Sequence, residues 1–138
     1  MPPEENAKEK EKEKKAKAKV KAPTEAVEQK ALCEWLTKMG IKHFATSMGV
    51  WFGKTNYKYI NSLKTRGFES GVPDIVILLD NGVTAFIELK RRNGRPSDIR
   101  PVQKEWIKWL EEHGYPVKVC YGCIDAMKFV IQLKGGSL

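Results

Sequence analysis

Leu32, Leu36 and Met39 recur at helical spacing, with Trp35 alongside. Thr24, after Pro23, reads as an N-cap and Gly40 as a stop, so the pattern predicts a first helix between them. Glu25 and Glu28 share that stripe, two turns and one turn ahead of Leu32, and are expected at a solvated helix end. Residues 41–53 read as a strand or a strand plus loop, and Tyr57–Arg66 as a short helix closed by Gly67. An apolar run, Ile75–Leu79, is followed by Asp80-Asn81-Gly82 and then by Val83–Lys90, the strongest hairpin signal in the chain. Beyond a basic loop, Arg91–Arg95, Pro101 opens a helix that carries Val102, Trp106, Trp109 and Leu110 on one face and ends at Gly114. Val117–Tyr121 reads as a strand and Ile124–Lys134 as a last helix before Gly135-Gly136. The order is α, β, short α, β-hairpin, α, β, α, which predicts an α/β fold: a mixed sheet flanked by helices.

Composition divides the chain. Residues 1–22 hold eight lysines and five glutamates with almost no large apolar side chain, a net charge of +3. Such a run cannot bury enough apolar surface to offset its ordering entropy, so 1–22 is expected to be a disordered or transiently helical tail and 23–138 one domain. Of the total charge of +8, the remaining +5 belongs to residues 23–138. The domain is thus basic without its tail, which suits a polyanionic partner and equally suits simple solubility. No run approaches the roughly 18 consecutive apolar residues of a membrane span. Three cysteines, an odd number, argue against a disulfide framework and fit a reducing, cytoplasmic compartment.

The chemistry gathers around Gly71-Val72-Pro73-Asp74, the hairpin, and Glu88-Leu89-Lys90. On the second hairpin strand Val83, Ala85, Ile87 and Leu89 point one way, toward helices; Thr84, Phe86, Glu88 and Lys90 point the other. A two-residue Asn81-Gly82 turn would pair Asp74 with Leu89 and turn it to the wrong face. A three-residue loop, with Gly82 left-handed as a bulge, would pair Leu79 with Val83 and Asp74 with Glu88. Local sequence leaves both open; only the second brings two carboxylates to one sheet end beside Lys90. Oxygen ligands of that kind suit Mg²⁺ or Mn²⁺ and phosphoryl chemistry, with Lys90 placed to position water or stabilise developing charge. The plain alternative is a surface aspartate and a solvated Glu–Lys pair.

The spacing GVPD, thirteen residues, ELK resembles the PD-(D/E)XK nuclease superfamily. With Glu25 and Gln29 on the first helix and Gln103 near the start of a later one, it is similar to the VRR-NUC branch over roughly residues 24–122. The resemblance implies a restriction-endonuclease-like core of αβββαβ type and a metal-dependent endonuclease acting on structured DNA. It places Asp74 and Glu88 as metal-binding acids, the Leu89 carbonyl as a further ligand and Lys90 as the catalytic lysine. Gln103 matches the family glutamine and Glu25 the acid of the first helix, with Glu28 a nearby competitor. Stand-alone members are similar to dimeric Holliday-junction resolvases, and a chain of this size without an accessory module looks like that kind. The expectation is therefore a homodimer acting on branched DNA in a bacterial or phage-infected cell. A flap or other repair nuclease, or a non-catalytic basic DNA-binding module, would share much of this pattern.

Around the site, Arg91, Arg92, Arg95 and Lys104, with Lys54, Lys58, Lys64 and Arg66, are candidate phosphate contacts. Trp51, Phe52, Tyr57 and Tyr59 alternate with Lys54 and Lys58, a pattern open to base stacking but better read as packing or a dimer contact. His43 and His113 are isolated and read as structural, Trp106 and Trp109 as core. Cys120-Tyr121-Gly122-Cys123 has the spacing of a redox or zinc pair but no second pair to complete it.

Overall fold

The computed structural model describes residues 7–10, 21–46 and 57–136; Lys54, Trp51, Phe52 and the Tyr57 side chain lie outside the described residues. Residues 7–10 form one exposed helical turn, and the rest of the basic tail up to residue 20 also lies outside. The elements follow the predicted order: α1 Glu25–Lys38, β1 Lys42–Ala45, α2 Tyr57–Thr65, β2 Ile75–Leu78, β3 Thr84–Lys90, α3 Pro101–Glu112, β4 Val117–Tyr121 and α4 Cys123–Leu133. A short 3-10 turn, Pro96–Asp98, precedes α3.

The four strands lie in the order β1-β2-β3-β4. The first three are antiparallel neighbours, and β4 runs parallel to β3, so α3 serves as the crossover. A parallel step needs such a connection, because no tight turn can reverse the chain twice. The core lies on one face, where α1 and α4 cover β3: Leu32, Leu36, Ile75, Ile77, Ala85, Ile87, Leu89, Ala126 and Val130 are all buried there.

The hairpin adopts the three-residue loop. Leu79 N donates to Val83 O at 2.9 Å and Gly82 N to Leu79 O at 3.1 Å, with Gly82 at φ +80°. A left-handed glycine there is what the bulged loop requires, since a Cβ would be strained. Pairing then runs Leu78↔Thr84 to Ile75↔Ile87, which carries Asp74 to Glu88 one step further on.

Three expectations need correction. Glu28 is not at a solvated helix end: it is 1% exposed. Its Oε1 accepts from Arg92 Nη2 at 2.6 Å and Nε at 3.1 Å, and its Oε2 from Cys123 N at 2.6 Å. One carboxylate thus ties α1 to the loop after β3 and to the N-terminus of α4, where backbone N–H groups favour an anion. Met39, placed on one stripe with the buried Leu32 and Leu36, is exposed because α1 ends just before it. Trp109 is 48% exposed, and Val102 is exposed as well. The inward stripe of α3 is Gln103 and Leu110, with half-buried Trp106 between, one position round from the face expected. Trp109 lies outside that stripe, stacked on His113 with ring centroids 3.9 Å apart.

Candidate active site

Four elements deliver side chains to the end of the hairpin away from its loop. Asp74 immediately precedes β2, Glu88 and Lys90 end β3, Gln103 lies in the first turn of α3, and Glu25 begins α1. Asp74 is fixed from both sides. Its carbonyl accepts from Thr46 N at 2.9 Å, and its Oδ2 accepts from Leu89 N at 2.8 Å. Gly71, at φ +84°, lets the preceding loop press against Val102 of α3; a Cβ there would collide with that side chain and crowd its backbone.

Glu88 (1% exposed) and Lys90 (7% exposed) face α3 from deep in the sheet, an unusual burial for charged side chains. The Lys90 ammonium stands 3.5 Å from Glu88 Oε1, donates to Gln103 Oε1 at 3.4 Å, and lies 4.0 Å from Glu25 Oε1. Gln103 bridges the group. Its Nε2 donates to Glu88 Oε1 at 2.8 Å, while its Oε1 also accepts from Arg100 N at 2.8 Å. The same side chain therefore caps α3 and orients both Glu88 and Lys90.

One atom is left out. Glu88 Oε2 is buried with no hydrogen-bond partner among the described residues. An unsatisfied buried carboxylate oxygen is costly, and the titration behaviour reflects it. Burial, and then the negative charge of Asp74, push the Glu88 carboxyl up to about 8, with Lys90 pulling it back. Burial also raises Asp74, and the charge of Glu25 adds to this; the Leu89 amide and Lys90 oppose it. Two neighbouring acids that burial raises, one of them further raised by the charge of the other, form a poised pair.

The family model of the VRR-NUC domain matches residues 25–123. The chain belongs to the VRR-NUC family. Membership makes it a nuclease-type domain, and nuclease domains act on nucleic acid. A solved structure described as a VRR_NUC domain protein is similar in fold, with a TM-score of 0.59 at 22% identity, covering 86% of this chain and 94% of that one. No curated protein matches the chain. The predicted α/β core of this family is thus the observed one, and no helix among the described residues is long and apolar enough to cross a membrane.

The VRR-NUC domain brings Asp74, Glu88, Lys90, Gln103 and Glu25 together and separates Glu28 from them. Arg91 and Arg92, expected to face DNA, have partners inside the protein. Arg91 donates to the carbonyls of Ala22 at 3.0 Å and Pro23 at 3.3 Å, and Arg92 pairs with Glu28. Arg95, Lys104, Lys58, Lys64 and Arg66 are exposed. Arg100 is a further candidate that no motif singles out: Gln103 holds its backbone, and its side chain lines a cleft shared with Asp74. Its position before Pro101, at an N-cap, is the available signal in the sequence. Cys120 and Cys123 are buried free thiols, and burial, followed by the charge of Asp125, pushes Cys120 up to about 12, far from a reactive thiolate.

Proposed function

We propose that this VRR-NUC domain is a metal-dependent endonuclease that hydrolyses DNA phosphodiesters, and that its substrate is branched DNA of the Holliday-junction type. The observation that carries the reading is buried Glu88 next to half-buried Asp74, with Lys90 beside Glu88 and one carboxylate oxygen of Glu88 left without a donor among the described residues. Among the described residues no three His, Cys, Asp or Glu side chains are gathered into a cage. The donor set still fits Mg²⁺ or Mn²⁺, which bind through one or two carboxylates and keep several waters. Asp74, Glu88 and the Leu89 carbonyl would hold the ion, satisfying Glu88 Oε2 and offsetting the Asp74 charge that raises Glu88. When bound, a divalent cation offsets charge on a phosphate oxygen and acidifies water.

The protein side chains divide the remaining work. Lys90, kept dry and flanked by three oxygens, holds a positive charge where charge develops on the phosphoryl group. Gln103 is a positioning residue, locking the rotamers of Glu88 and Lys90 through a single amide. Glu25, 54% exposed on its side chain, stands at the outer rim, where it can accept from water. Arg95, Lys104, Lys58, Lys64 and Arg66 supply sequence-tolerant contacts to phosphates. A four-way junction needs two symmetric cuts, and a two-fold homodimer supplies two sites in fixed geometry.

The test is cleavage of junction, flap, duplex and single-stranded DNA with Mg²⁺, with Mn²⁺ and with chelator. Paired nicks in the junction, lost in chelator, are expected; preference for the flap would move the proposal to flap cleavage. Asp74→Ala and Glu88→Ala should lose cleavage and retain DNA binding. Equal cleavage by these variants and wild type would refute the assignment. Light scattering at assay concentration reads the dimer.

A further inference from the structure

A cleft of about 340 Å³ adjoins the site, between α2, the loop 66–73 and the start of α3. Its walls are of two kinds. Ile60, Phe68 and Val72 make an apolar lining, whereas Lys64 and Arg100 contribute cationic side chains. Asp74 and Gln103 belong both to this cleft and to the acid cluster, so whatever fills it lies beside the reacting phosphate. Apolar walls with a few placed polar groups are the composition of a small-molecule cleft, and this volume is within the range such clefts have.

The geometry points to a nucleotide pocket: the cleft takes the base of the nucleotide next to the scissile phosphate, extruded from its stack, while Lys64 and Arg100 hold the adjoining backbone phosphate. The inference rests on the nuclease reading and specifies its substrate class. A base stacked within a duplex cannot enter a cleft in the protein, so the nucleotide must leave the duplex. Extrusion costs least where a base is already unpaired or poorly stacked, as at a branch point or a frayed end. Selection of branched DNA then arises within one domain, from the cost of unstacking, and not only from the spacing of two sites in a dimer. Glu69, also on the cleft wall, can accept from an exocyclic amine of the base. Gly71, on the cleft wall, lies so close to Val102 of α3 that a Cβ there would collide with it.

The experiment maps the cut in a junction, then compares that DNA with the same DNA made abasic at the nucleotide beside the cut, on either side in turn. Wild-type protein should cleave the intact substrate roughly fivefold or more faster than one of the abasic versions, the least that one base contact supplies. Ile60→Phe, which fills the cleft, should cut intact and abasic DNA at the same reduced rate. Binding gives a second measurement that needs no turnover: Glu88→Gln protein should bind the intact junction more tightly than the abasic one by a similar factor, and adding Ile60→Phe should erase the difference. If both abasic versions are cut and bound as well as intact DNA, or the filled variant keeps the preference, the pocket is refuted while the nuclease stands. If no DNA is cut with any divalent cation, the nuclease reading itself fails.

Discussion

Glu88→Gln separates the cost of the acid pair from its use. Glu88 is almost fully buried, and its carboxyl is pushed up to about 8 from an ordinary 4.5. A carboxyl with a raised folded-state value binds its proton more tightly folded than unfolded. Its contribution is fully present below about pH 4.5 and is lost as pH rises toward 8, where the folded protein must carry a buried carboxylate charge on Glu88 beside half-buried Asp74. At about 1.4 kcal/mol for each tenfold difference in proton affinity, the loss across that window amounts to a few kcal/mol, an upper bound because water and side-chain movement relieve part of it. Gln has no charge to desolvate and keeps an acceptor for the amide of Gln103. In chelator, wild-type melting temperature should therefore fall between pH 5 and 8 relative to Glu88→Gln, by on the order of 10 °C for a chain of this size. At pH 8, added Mg²⁺ or Mn²⁺ should restore the wild type and leave the variant unmoved, because only the wild type offers two charged carboxylates. The assay is thermal melting by circular dichroism across pH, with and without the ion. A parallel pH profile for the two proteins, or a variant less stable than wild type at pH 8, would refute the account.

Further outcomes follow from single contacts. Glu28→Ala should cost about 3 kcal/mol in urea unfolding, because it strips Arg92 and the N-terminus of α4 of their buried partner. Glu25→Ala should leave stability within about 0.5 kcal/mol while slowing cleavage, and the reverse pattern would exchange the two glutamates. Gly71→Ala forces a side chain into Val102 at a left-handed backbone position, so cleavage should drop by roughly tenfold or more as the Asp74 loop shifts. Arg95→Ala and Lys104→Ala, both on exposed positions, should each reduce the salt slope of DNA binding by about 1 across unrelated sequences, read by anisotropy titration.

Local signals carried most of the elements. The leucine stripe from Leu32 to Leu36, the Asp80-Asn81-Gly82 loop and Pro101 each correspond to an element or boundary in the structure, since propensity, capping and periodicity act over a few residues. Trp109 shows where that reasoning ends. Val102, Trp106, Trp109 and Leu110 form a plausible apolar face, yet helix α3 sits on the sheet through Gln103 and Leu110. The polar Gln103 takes an inward position because Glu88 and Lys90 supply partners for its amide, and those partners come from a different element of the fold, strand β3.

The chain by itself determines a mixed α/β order, a net positive charge and the residue types of the candidate site, because each depends on composition or on neighbours within a turn or two. The hairpin register, the parting of Glu25 from Glu28 and the burial of Glu88 with an unmatched oxygen are decided only in three dimensions. A one-residue slip would turn Asp74 to the other face at little local cost. What selects the observed register is the packing of both sheet faces at once, and no stretch of sequence encodes both.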